Sequence, residues 1–117
     1  MLFLEYPPCS TCKKAKKWLD DHDLTYTARH IKEENPSYDE LKHWVQTSGL
    51  PVKKFFNTSG LLYKSMDLKD KLPTMTTDAQ LQLLSTDGML VKRPLVVTDT
   101  GRVLTGFREK DWEAALL

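Results

Sequence analysis

Cys9 and Cys12 are the only cysteines of this chain, two residues apart in Tyr6-Pro-Pro-Cys9-Ser-Thr-Cys12, between a short apolar segment and a Lys-rich stretch. A Cys-x-x-Cys pair at a helix start can close a small disulfide ring, and the free N–H groups of the first turn favour thiolate over thiol. The chemistry this points to is thiol redox. Cys9, where the proline loop ends, can turn its sulfur toward solvent and those unpaired N–H groups, so it is the candidate nucleophile. On a helix beginning near Ser10, Cys12 shares a side with Ala15, Trp18 and Leu19, which makes it the more shielded thiol, suited to resolving rather than attacking. Two incidental buried thiols are the plain alternative. The adjacent prolines and the strand-loop-helix setting weigh against it.

The elements that must hold this pair can be read outward from it. Leu2 to Tyr6 reads as a buried strand, followed by a helix through about Asp21 and a second strand around Thr25 to Ile31, with Tyr26, Ala28 and His30 alternating. That is a βαβ opening. Lys13, Lys14, Lys16 and Lys17 face largely outward; they oppose the helix dipole but would favour a thiolate at Cys9. Ser37-Tyr-Asp-Glu40 forms a capping box ahead of Leu41, Trp44 and Val45, with Gly49 and Pro51 as the stop. Shorter helical pieces follow over Pro51 to Phe56 and Leu61 to Leu72, parted by the polar turn Asn57-Thr-Ser-Gly60, which could face the site. Thr77-Asp-Ala-Gln80 opens another capped helix that ends at Asp87-Gly88. Leu95 to Thr98 is a β-branched strand, turned by Asp99-Thr-Gly101 into a further strand over Arg102 to Leu104, and Glu109 to Leu117 closes as a helix packed through Trp112, Ala115 and Leu116. An α/β fold is expected, with a mixed sheet of about four strands. A thiol motif after the first strand fits a thioredoxin-like arrangement of three layers, with a helical insertion at about 37–90 between the βαβ and ββα halves.

At 117 residues the chain, 1–117, is expected to be one domain with one main site. Seventeen Lys and Arg against sixteen Asp and Glu leave a formal charge of +1, so no global field recruits nucleic acid or an anionic membrane. Met1 to Leu4 is broken by Glu5 and two prolines, too short for a signal-peptide core or a membrane span, and a cytoplasmic protein is expected. In a reducing compartment the Cys pair is more plausibly catalytic or redox-sensing than a structural staple. His22, His30 and His43 form no second paired motif that would complete a zinc site, so neither a metal nor an organic cofactor is expected.

Arg93-Pro94 is the second informative dipeptide. Pro94 precedes a core strand without the N–H a central ladder would use, and a cis Arg93–Pro94 bond is expected, presenting a backbone edge to a bound thiol substrate. Arg93 would then project near Cys9, to pair with an oxyanion or support the thiolate; a surface salt bridge is its plain alternative.

Taken together, Tyr-Pro-Pro-Cys9-Ser-Thr-Cys12-Lys-Lys-Ala-Lys, Phe-Phe-Asn57-Thr-Ser-Gly60, Asp87-Gly-Met-Leu-Val-Lys-Arg93-Pro94 and Val-Leu-Thr-Gly106-Phe resemble the arsenate reductase (ArsC)/Spx family over nearly the whole chain. The resemblance implies a thioredoxin-like fold and a reductase in which Cys9 attacks arsenate or another oxidised substrate and Arg93 holds the oxyanion, with Pro94 and Asn57 beside it. Cys12 or an external thiol, from glutathione with glutaredoxin or from thioredoxin, would resolve the product. Two further arginines of the reductase pattern are Asn57 and Gly106 here, and the histidine four residues before the reactive cysteine is Glu5. Each missing guanidinium removes charge-assisted hydrogen bonds of about 1.5 to 3 kcal/mol from an oxyanion site. The Spx branch implies an alternative, a redox-sensing transcriptional regulator that binds the C-terminal domain of the RNA polymerase alpha subunit. With no long basic tail, direct DNA contact is not expected.

Overall fold

A computed structural model describes residues 1–117. Strand β1 (Leu2–Glu5) leads through the proline loop into helix α1 (Ser10–Asp21) and strand β2 (Thr27–His30). Helices α2 (Tyr38–Ser48), α3 (Leu61–Ser65), α4 (Leu68–Lys71) and α5 (Thr77–Thr86) follow, then strands β3 (Leu95–Val97) and β4 (Val103–Thr105) and helix α6 (Glu109–Leu116). The sheet order is β2-β1-β3-β4, with β1 parallel to β2 and antiparallel to β3, and β3 antiparallel to β4. This is the mixed four-stranded sheet and thioredoxin-like fold expected of a βαβ unit joined to a hairpin.

The central strands are apolar at successive positions because both faces of the sheet are covered. On one face Phe3 and Val96 pack with Ala15, Trp18 and Leu19 of α1 and Trp112 of α6. On the other, Leu4 and Leu95 join the larger core formed with Leu41, Trp44, Phe55, Leu81 and Leu84 of the helical insertion. Side chains one position apart thus enter different cores, which fixes the register of β1 against β3, where Leu4 lies opposite Leu95. Strand β2, at the sheet edge, departs from the expected alternation: Ala28 is exposed, and the first fully buried side chain is Ile31, just past the strand.

The helix signals read from sequence act locally. Ser37 Oγ accepts from the Glu40 N–H at 3.2 Å while the Glu40 carboxylate accepts from the Ser37 N–H at 3.0 Å, and both cap α2. For α5 the cap is Thr76, whose hydroxyl accepts from Ala79 N–H, one residue before the expected start. Glu40 has a second partner that sequence spacing does not reveal. Arg29 of β2 grips it with two donors, at 2.7 and 3.0 Å, and also donates to the carbonyls of Glu34 and Asn35. The Arg29 guanidinium, aided by the Ser37 donors and against partial burial, pulls the Glu40 carboxyl from 4.5 to about 2. A carboxyl depressed in the folded state adds stability above its unfolded pKa and loses it as pH falls through the folded one. Glu40→Gln should therefore cost about 1 kcal/mol at pH 7, allowing for solvent screening of a group more than a third exposed. It should also flatten the decline in stability between pH 4.5 and 2, as read by urea unfolding at several pH values.

Candidate active site around Cys9 and Arg93

Cys9 is the N-cap residue of α1. Its N–H donates to the Tyr6 carbonyl at 2.8 Å, closing the turn that contains both prolines, and its carbonyl starts the helix by accepting from Lys13 N–H. No side chain caps this helix and its first turn holds no acid, so the first N–H groups stay free for the sulfur. Partial burial pushes the Cys9 thiol up, but the Cys12 N–H, the Cys12 thiol, the Thr11 N–H and the Arg93 guanidinium outweigh it. The net result is a thiol held below its ordinary value. Cys12 is the opposite case. It is fully buried with Ala15 and Leu19, and burial pushes its thiol up to about 12; the Tyr6 N–H, 3.5 Å from its sulfur, offsets this only in part, and nearby Cys9 adds to it. The two cysteines are free thiols, one held below its ordinary value and one pushed well above it.

Arg93 reaches Cys9 because Leu95 pairs with Leu4, so the residues before Leu95 run beside the end of β1 and the loop it feeds. Its guanidinium carbon lies 5.1 Å from the centre of the Tyr6 ring. Its Nε and Nη1 are buried without a hydrogen-bond partner, so the group has donors to spare next to the thiol. The Arg93–Pro94 peptide is cis. Pro94 is buried, and its carbonyl accepts from Gly106 N–H at 2.8 Å.

Asn57 is brought alongside by pairing between two loop segments. Phe56 bridges Val91, Asn57 N–H donates to the Leu90 carbonyl at 2.8 Å, and Lys92 N–H donates to that of Phe55 at 2.8 Å. The Asn57 amide packs against Gly60, where a Cβ would stand 2.7 Å from its nitrogen, and its oxygen accepts from Ser59 Oγ. Cys9, Asn57 and Arg93 open onto one cavity of about 880 Å³, whereas Cys12 and Pro94 are buried and do not line it. Lys54, Lys92, Arg102 and Arg108 also line it, against the single acid Asp111, so the cavity attracts anions. In the sequence Arg102 and Arg108 lie near the C-terminal segment where a reductase arginine is missing and stay unassigned, with exposed surface charge as their plain alternative, and neither Lys54 nor Lys92 is singled out.

The Lys-rich face of α1 contributes less to Cys9 than its position suggests. Lys16 pairs with the buried Glu5 at 3.3 Å, and Lys17 with Asp21 at 2.7 Å. Glu5 thus lies under α1 with its charge answered by Lys16, one turn from Cys12. No group of three or more His, Cys, Asp or Glu side chains gathers where a metal ion could be held.

These environments predict selective reactivity. Substoichiometric iodoacetamide at pH 7 should label Cys9 and spare Cys12, with a pH midpoint below that of an ordinary cysteine. Arg93→Met should raise that midpoint, since a donor and a positive charge leave the thiolate. Peptide mapping by mass spectrometry reads the first effect, and a pH series of alkylation rates the second.

Four similarities bear on this site. The model of the ArsC family matches residues 4–115. The crystal structure of an ArsC family related protein from Bacteroides fragilis superposes with a TM-score of 0.93 at 59% identity, covering 97% of this chain and 94% of that one. YusI of Bacillus subtilis, an uncharacterised protein, is 51% identical over 113 residues, 97% of this chain and 95% of its own. The global transcriptional regulator Spx of Staphylococcus haemolyticus is 31% identical over 106 residues, 90% of this chain and 78% of its own.

Proposed function

Because the chain belongs to the ArsC family, we propose that it is a thiol-dependent reductase in which Cys9 attacks arsenate or a related oxidised anion. The observation that carries this reading is the depressed Cys9 thiol beside the Arg93 guanidinium, both lining a cavity that also carries Lys54, Lys92, Arg102 and Arg108. The Cys9 thiolate attacks arsenic, a protonated oxygen leaves as water, and an S–As bond forms. A second thiolate then attacks the Cys9 sulfur. The electron pair of the S–As bond stays on arsenic, which passes from the +5 to the +3 state, while the two sulfurs become a disulfide.

An external thiol is the better second nucleophile. Burial pushes the Cys12 thiol up to about 12, so little of it is thiolate at pH 7, and it does not line the cavity. The Cys9 charge that helps hold Cys12 protonated disappears once Cys9 is in the adduct, but the burial remains. Glutathione with glutaredoxin, or thioredoxin, would supply the electrons, which suits a cytoplasmic setting, and the reaction needs no metal or organic cofactor. Arg93 and Asn57 would hold the anion, and Pro94 would fix the backbone behind it.

The test is turnover of arsenate with glutathione, glutaredoxin and thioredoxin systems in turn, beside the Cys9→Ser protein. Absence of Cys9-dependent turnover in all three would end the reading. The similarity to Spx favours a second reading, redox-controlled docking on the C-terminal domain of the RNA polymerase alpha subunit. Calorimetric titration of that domain with oxidised and reduced protein decides it, and no binding in either state removes it.

A further inference from the structure

Resting on Cys9 as the nucleophile, we propose that Lys92 is the second cationic contact, beside Arg93, for the anionic group that reacts there. Lys92 directly precedes Arg93, and both line the cavity onto which Cys9 opens. Its backbone is tied down through the hydrogen bond to the Phe55 carbonyl, so its side chain leaves from a fixed point. That side chain lies across Gly106: a Cβ there would stand 3.0 Å from Lys92 Cε and 3.9 Å from Nζ.

Gly106 is a rigid seat. It is buried with φ +70, its N–H is held by the Pro94 carbonyl, and its carbonyl accepts from Trp112 Nε1 at 3.1 Å. A larger residue would both strain this backbone and push the lysine stem away. The ammonium group so held takes part in no ion pair and no side-chain hydrogen bond. Asp111, the one acid on the cavity wall, is not within ion-pair distance of it. A half-buried, unpaired ammonium lining the same cavity as the Cys9 thiol adds positive charge to that cavity, and Lys, as a compact point charge, does not demand the planar partner that Arg does.

The experiment needs no natural substrate. Iodoacetate and iodoacetamide both react with the Cys9 thiolate by the same displacement: the sulfur forms a bond to carbon, the C–I bond breaks and iodide leaves. Only the first carries a carboxylate. Their two rates are measured at low salt for the wild type, Lys92→Met, Lys92→Gln and Lys92→Arg. In Lys92→Met the iodoacetate rate should fall about three- to tenfold while the iodoacetamide rate stays within about twofold, the loss of one nearby charge in a partly solvated site. Lys92→Gln should reproduce this with a polar stem over Gly106, and Lys92→Arg should keep most of the wild-type ratio. An unchanged ratio overturns the proposal, as does an equal fall in both rates, which would make Lys92 a support of the thiolate alone. A lowered ratio in a protein without arsenate turnover in any thiol system would sustain the role of Lys92 and end the reductase reading.

Discussion

Cys9→Ser should lower the proposed thiol-dependent turnover by at least about 10³-fold, the largest functional effect expected of any single substitution in this chain. A serine hydroxyl at the same N-cap position meets the same N–H groups and the same Arg93, but its proton is held too tightly for those donors to generate an alkoxide near neutral pH. The oxygen also cannot form the disulfide with a second thiol, the step that in the proposed reaction leaves the electron pair on arsenic. Cys12→Ser is the informative contrast. If an external thiol resolves the adduct, as the buried and protonated state of Cys12 indicates, this protein should keep turnover within about tenfold of the wild type. Steady-state kinetics on both variants, with each of the three thiol systems, measures the split. Loss of activity in Cys12→Ser equal to that in Cys9→Ser would assign resolution to Cys12 and overturn the external-thiol step.

Gly88→Ala should destabilise the fold by about 3 kcal/mol or more, the upper part of the usual range for overpacking. A Cβ at Gly88 would stand 1.8 Å from the Ile31 carbonyl oxygen, 2.7 Å from its carbon and 3.1 Å from Lys32 Cα. These are backbone atoms and cannot rotate aside. Ile31 is fully buried, and its N–H donates to the Glu5 carbonyl at 2.8 Å, so a shift there is passed to the end of β1. Gly88 also begins the 3-10 turn Gly88–Leu90 that leads to the segment pairing with Phe55 and Asn57. A thermal melt should show the midpoint fall by about 10 °C or more for a domain of this size. A midpoint within about 2 °C of the wild type would mean that the two segments separate at small cost, against the close packing expected of such a contact.

Much of the framework is local and is therefore legible in the order of residues alone. The Ser37–Glu40 capping box, the polar turn at Asn57–Gly60, the hairpin at Asp99–Gly101 and the helix after the proline loop each depend on residues within a few positions of one another. The shift of the α5 cap to Thr76 is a contest between two adjacent threonines, settled by which hydroxyl reaches the Ala79 N–H. The fate of the charges is not legible in this way. Four lysines on α1 look like one field for Cys9, yet Lys16 is engaged by Glu5 because α1 packs over β1. Arg29 and Glu40 lie eleven residues apart in different elements and meet only when β2 and α2 do.

The same division runs through the site. Sequence alone determined the Cys9-Ser-Thr-Cys12 pair at a helix start and the Arg93-Pro94 step before a core strand, because strand, loop and helix follow from periodicity and from proline's missing N–H. Helix periodicity likewise marked Cys12 as the shielded thiol; tertiary structure decided the approach of Arg93 to Cys9, which follows from the antiparallel register of β1 and β3. It also decided where the cations stand. Lys92 and Gly106 are fourteen positions apart, and the β3–β4 pairing, continued by the bond from Gly106 N–H to the Pro94 carbonyl, brings that glycine under the lysine. Charge balance near the thiol is a property of distances between elements, which is why the pair of cysteines is plain in the chain and the anion-attracting cavity around it is not.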